Sequence, residues 1–204
     1  MNLMEILSRG GWMMGPIYLC FLVSCALAME RIIMLRRFGS AEPGEDFERV
    51  VKCLAARDEA GAGQAMSALP PVLQPLVWSA TKMSGWSREV RRDRLVSLAK
   101  DQVALQQQNL AVLATLAAVA PLLGFLGTIV GMIRAFMSIE ELEGSVTPSV
   151  LAGGIWQALV TTGAGLAVGI VILVIHNVLA ARVDDQAGRM GRSADMLLDA
   201  TEGA

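Results

Sequence analysis

Few polar residues lie inside the apolar parts of this chain, and those few limit the chemistry open to it. Thr128 sits in one apolar stretch, and Thr161 and Thr162 sit in another with Gln157 and His176. A hydroxyl inside a membrane helix either bonds back to its own helix or offers a polar point to a neighbour. Neither later stretch contains Asp or Glu, so the chain has no intramembrane carboxylate of its own to carry a proton. His176 is the only histidine. A single imidazole can relay a proton, but beside Asn177 at the end of a stretch it reads first as a packing residue. Glu30 precedes Arg31 at the edge of the first stretch, where an ion pair is the simplest role. Arg134 is expected to snorkel toward water. There is no phosphate-binding loop, nucleophile constellation or metal-ligand spacing. Conventional enzyme chemistry finds no support, and no cofactor or metal is expected.

The elements that carry these residues are long and apolar. The chain has 204 residues, 54% of them hydrophobic, gathered into three runs. Residues 12–29 carry no charge, 110–137 carry only Arg134, and 151–181 carry none. Eighteen residues make a helix of about 27 Å, so each run suffices for a hydrocarbon core of about 30 Å, the later two with length to spare. Buried core helices of a soluble protein would need far more amphipathic chain to cover them. The sequence therefore predicts an all-α membrane protein with three transmembrane helices. Net charge is −2, which gives no bulk attraction to nucleic acid. Cys20, Cys25 and Cys53 fit neither a disulfide framework nor a zinc site.

Basic residues set the expected orientation. Arg31, Arg36 and Arg37 follow the first run, five Lys or Arg lie between positions 88 and 100, and Arg182, Arg189 and Arg192 follow the third. Glu140, Glu141 and Glu143 lie between the second and third runs with no basic residue. The positive-inside rule then places 1–11 and the loop 138–150 in the periplasm, and 30–109 and the tail 182–204 in the cytoplasm. Ala26-Leu27-Ala28 resembles a signal-peptide cleavage site, but the leading region lacks net positive charge, which argues for retention of the first span. In the cytoplasmic part, 45–57 reads as a helix broken by Gly61-Ala62-Gly63. A short helix over 65–69 follows, with another over 72–83. Ser87 is a plausible N-cap. From there to Met137 only Pro121 interrupts the pattern, as a candidate kink and hinge. The second and third spans are thus expected to project into the cytoplasm, with Val90, Leu95, Leu98, Val103 and Leu105 packing on the shorter helices.

Small residues recur at four-residue spacing within the later spans: Ala120, Gly124 and Thr128; Gly127 and Gly131; Gly154, Ala158 and Thr162; Thr161, Gly165 and Gly169. Such stripes let helix backbones approach closely in lipid, and packing alone explains most of them. Depth distinguishes the threonines. Thr128 lies nine residues before the end of the second span and Thr162 eleven after the start of the third. Both are therefore roughly 15 Å below the outer surface. In antiparallel neighbours they would form, with Thr161, one polar layer near the bilayer midplane that faces another chain.

At these residues the chain resembles the MotA/TolQ/ExbB proton channel family, and ExbB and TolQ most. The resemblance rests on GGWMMGP before the first span, Glu30-Arg31 after it, LATLAAVAPLLGFLGTIVGMIRAF, and ALVTTGAGLAVGI ending in HN. It implies a homopentamer in the bacterial inner membrane whose second and third spans line a pore. The pore would hold an ExbD/TolR-like single-span partner whose membrane Asp carries the proton, with a TonB/TolA-like protein and membrane lipid as further partners. It also implies that Thr128 and Thr162 face the channel and that Pro121 is the family's proline. One residue departs from the family pattern: Gln157 stands where a Glu is usual. Gln can form hydrogen bonds but cannot titrate, so this position is read as a polar coupling residue. The leading expectation is a proton-driven motor. The alternatives are a non-conducting membrane scaffold, for which Gln157 is the argument, and a partnerless pore, against which the missing carboxylate counts.

Overall fold

The computed structural model describes residues 10–39, 41–83, 85–141 and 148–201. Those residues are almost entirely helical, and no strand occurs among them. Among the described residues seven helices follow in order: α1 Met14–Phe38, α2 Glu45–Ala55, α3 Glu59–Met66, α4 Gln74–Thr81, α5 Arg88–Gln107, α6 Leu110–Glu141 and α7 Pro148–Ala200. Three stretches are long and apolar enough to cross a membrane: Met14–Phe38, the apolar part of Arg88–Glu140, and Ala152–Ala200. The all-α class and the three spans are as the sequence predicts. Glu143 and the rest of 142–147 lie outside the described residues.

The chain divides into two compact units. One comprises 1–29 and 109–178, the other 30–108 and 179–204. In the second unit α2 is strongly amphipathic: Phe47, Val50 and Leu54 are buried and its charged residues point outward. Full burial of such side chains contributes about 2 kcal/mol each. They join Val72, Leu73, Leu76 and Val77 from the α4 region, Leu95 and Ala99 from α5, and Met190, Ala194 and Leu197 from the end of α7 in one core. The segment after α1 is fastened to α7 by polar bonds. Gln186 Nε2 donates to the Gly39 carbonyl at 2.9 Å, Ser193 Oγ donates to Ala41 at 3.3 Å, and Arg189 pairs with both Asp185 and Glu42. Those carboxylates hold the Arg189 guanidinium above its ordinary range, Asp185 first by its hydrogen bond and charge, then Glu42.

Several local expectations need correction. Gly61 and Gly63 do not break a helix; they lie inside α3, which Asp58 caps by accepting from the Gly61 N–H at 2.9 Å. The break falls earlier, at Arg57, whose φ of 57° is left-handed. Ser87 does occupy the N-cap of α5, but its side chain makes no capping bond. Among the apolar residues of α5, Leu95 is buried and Leu98 and Val103 are partly so, whereas Val90 and Leu105 are left exposed. The long second helix is interrupted at Gln108–Asn109, where Asn109 has φ 63°, and not at Pro121, which sits inside the continuous α6. Asn tolerates the left-handed region better than other non-glycine residues. In the last turn of α5 the buried Arg31 donates to the Leu105 carbonyl at 3.1 Å while pairing with Glu30 at 2.7 Å. A cation there also opposes the negative end of the helix dipole.

Candidate functional site

In the first unit, α6 and the adjoining part of α7 run antiparallel and meet backbone to backbone. A Cβ added at Gly165 would lie 2.7 Å from the Ala120 carbonyl and 2.8 Å from the Gly124 Cα. One at Gly124 would meet the Thr161 carbonyl at 3.0 Å, and one at Gly131 would meet Ala158 and the Gly154 carbonyl at 3.1 Å. At Gly154 the obstacle is the Ala135 Cβ at 2.5 Å. The seam continues to Gly169, which faces the Pro121 ring and the Ala117 carbonyl. That carbonyl lies four residues before Pro121, which has no N–H to give it. Gly169 thus accommodates both the ring and the freed carbonyl. Small side chains along both helices are what the close approach demands, so Gly124, Gly131 and Gly165 serve as packing residues.

The same contacts fix the register of the threonines. Gly124 meets Gly165 and Thr162, and Gly127 meets Thr161, so Thr128 and Thr162 lie within about one helical turn of each other in depth. Their hydroxyls behave differently from that of Thr161. Thr161 is fully buried, packs on Gly127, and donates to carbonyls of its own helix, Ala158 at 2.9 Å and Gln157 at 3.1 Å. Sequence reasoning placed it in the outward-facing layer; in the structure its side chain is enclosed between the two helices of one chain. Thr128 and Thr162 are both half-buried. Thr128 Oγ1 donates to the Phe125 carbonyl of its own helix at 2.6 Å. Thr162 Oγ1 instead crosses the seam and donates to the Gly124 carbonyl at 3.1 Å.

Gln157, half-buried, contacts the turn that precedes α1. Its Nε2 donates to the Gly10 carbonyl at 3.4 Å, and it packs so closely on Gly11 that a Cβ there would lie 2.2 Å from Nε2. Gly11 also has φ 68°, a conformation that glycine adopts without strain. The GGW sequence before the first span and Gln157 are therefore partners, a link that spacing along the chain could not reveal. His176 lies on α7 with its Nδ1 3.2 Å from the Asn177 side-chain oxygen, and no acidic partner is found for it among the described residues. Glu30 pairs with Arg31, as the sequence suggested. No cluster of metal-ligating residues is found among the described residues.

The profile of the MotA/TolQ/ExbB proton channel family matches residues 71–192, which include α6 and the α7 seam. The chain is 25% identical over 172 residues to the biopolymer transport protein exbB1 of Vibrio cholerae, covering 83% of this chain and 75% of that protein. It is 30% identical over 188 residues to the biopolymer transport protein ExbB-like 1 of Synechocystis sp., covering 91% and 73%. It is also 30% identical over 122 residues to the Tol-Pal system protein TolQ of Pseudomonas aeruginosa, covering 60% and 50%.

Proposed function

The chain belongs to the MotA/TolQ/ExbB proton channel family, and from that premise we propose that it is the channel-forming subunit of a proton-driven motor. In this reading it assembles as a pentamer in the inner membrane, its N-terminus in the periplasm and its C-terminus in the cytoplasm. The second and third spans surround an ExbD/TolR-like single-span protein, and proton flow drives that partner to energise an envelope process through a TonB/TolA-like protein.

One observation carries the proposal. The two later spans contain no carboxylate, yet they hold two half-buried threonine hydroxyls at one depth on a glycine seam. A surface of that kind can attend a proton borne by another chain but cannot bear one itself. The decisive experiment is co-expression with the single-span, Asp-bearing protein of the same organism. Co-purification and partner-dependent proton flux in liposomes are expected, with flux reduced in Thr128→Val/Thr162→Val at unchanged oligomer size. Full flux in that double variant would refute the assignment of the site.

The scaffold reading rests on Gln157, which cannot titrate. The contact of Gln157 with Gly10 weakens that reading, because the amide has a structural partner on the turn before α1. An amide at this position therefore need not record the loss of conduction.

A further inference from the structure

We infer that Thr128 and Thr162 present hydrogen-bond acceptors to the partner, so that this surface favours the protonated form of a carboxylic acid lying on it. The inference rests on the channel reading above and specifies what the site does to its proton carrier.

A threonine hydroxyl has one hydrogen to give and two lone pairs to receive with. Both hydrogens are already committed inward, that of Thr128 to the Phe125 carbonyl and that of Thr162 to the Gly124 carbonyl. In the helix ladder the Gly124 carbonyl also receives the Thr128 backbone N–H. The two threonines thus meet on one backbone oxygen. Among the described residues no donor fills the lone pairs of either hydroxyl. An ionised carboxylate only accepts hydrogen bonds, so against two acceptor oxygens it would find nothing to bond. The neutral acid can donate its O–H to one of them. The apolar surroundings act in the same direction, because low polarity disfavours the charged form.

Charged neighbours do not reverse the sign. On α6 the nearest charged residue is Arg134, six residues beyond Thr128 and exposed. On α7 the nearest titratable group is His176, fourteen residues beyond Thr162 and bonded to Asn177. Residues 14–29 of α1 hold Tyr18, Cys20 and Cys25 and no charged side chain. The seam therefore acts as a loading position: an acid resting on the threonines keeps its proton, and release requires the acid to move away from them. From sequence alone a hydroxyl is equally able to donate to the charged form; the direction of the two bonds decides against that.

The test uses the reconstituted complex with the co-expressed partner carrying ¹³C-labelled Asp, whose carboxyl is titrated by its infrared stretch or carbon shift. Removing the acceptors disfavours the neutral acid, so Thr128→Val/Thr162→Val should move the midpoint to lower pH by about 0.5–1 unit, as expected for one net hydrogen bond. Thr→Ser at both positions should restore it. Thr128→Val alone, which breaks only a bond within one helix, should shift the midpoint in the same direction and serves if the double variant fails to assemble. A midpoint that rises, or one that stays fixed while flux falls, overturns the inference and leaves the channel reading standing. Absence of any partner-dependent flux in the unaltered complex overturns both.

Discussion

Gly165→Ala is the smallest change that tests the seam, because it adds a single methyl carbon where backbone already stands. The new Cβ would lie 2.7 Å from the Ala120 carbonyl, 2.8 Å from the Gly124 Cα and 2.9 Å from the Gly124 nitrogen, whereas ordinary contact begins near 3.4 Å. None of these atoms belongs to a side chain that can rotate away. The helices must separate by about 0.7 Å at this point, the gap between 2.7 and 3.4 Å. Overpacking of this kind costs about 1–3 kcal/mol. The same separation stretches the Thr162–Gly124 hydrogen bond from 3.1 Å toward a length at which such bonds fail. Gly163 and Gly153 are internal controls, since a Cβ at either has no heavy atom within 4 Å. Replacing them with Ala is expected to be neutral or slightly stabilising, as Ala is the better helix former by about 1 kcal/mol. Thermal unfolding in detergent, followed by tryptophan fluorescence, should separate Gly165→Ala from both controls. Gly124→Ala/Gly165→Ala should lose less than the sum of the two single changes, because they crowd one contact. Equal melting temperatures for Gly165→Ala and Gly163→Ala would refute the backbone contact.

Three other perturbations address separate features. Gln157→Glu replaces the donor to Gly10 with a group that, when ionised, has no hydrogen to give. Faster amide exchange over residues 10–13 is expected with motor output largely retained, and unchanged exchange would remove Gln157 from its place on the turn. Arg31→Ala withdraws the buried guanidinium from both Leu105 and Glu30. A destabilisation of about 1–3 kcal/mol in chemical denaturation is expected, and a variant as stable as the parent would show that the guanidinium contributes little there. For topology, single cysteines at Glu140 and Arg192 in a background without native thiols should label from opposite sides of the membrane. Arg192 is chosen because its neighbour Ser193 is fully buried and bonded to Ala41. Labelling of both from one side would exclude the three-span arrangement.

The spans were legible because a long apolar run has few other places to go, and stripes of small residues marked the faces that could pack. Thr128 and Thr162 stood out by depth alone, which requires only the rise of a helix. Whether a hydroxyl gives its hydrogen inward or outward is not a property of residue type, so the roles of Thr161 and Thr162 could not be separated from sequence. Adjacent in the chain, one is enclosed against Gly127 and the other bridges to the facing helix. The break at Gln108–Asn109 had a sequence signal in the polar run Gln106-Gln107-Gln108-Asn109 directly before Leu110, with Asn as the residue suited to a positive φ. The proline drew attention away from it. In α6 Pro121 is accommodated locally, because Gly169 leaves room for the ring and for the Ala117 carbonyl, to which proline has no N–H to give. Gly61 and Gly63 misled in the opposite direction: a capped N-terminus at Asp58 and the burial of Ala62 between them outweigh their weak helix propensity.

The glycine seam and the direction of the threonine bonds have one physical origin. A side-chain hydroxyl can reach the backbone of a neighbouring helix only when the two backbones are much closer than ordinary side chains allow. Gly124 and Gly165 supply that approach, and Thr162 uses it to place its hydrogen on the Gly124 carbonyl. Larger residues at the two glycines would leave Thr162 without this acceptor, and its hydroxyl would then be free to donate toward the other face. The small residues of the seam therefore control more than the distance between helices: they determine which sign of hydrogen-bonding group the surface offers. These spans hold no carboxylate, so under the proposed function that sign would be the chain's main means of acting on a proton carried by a partner.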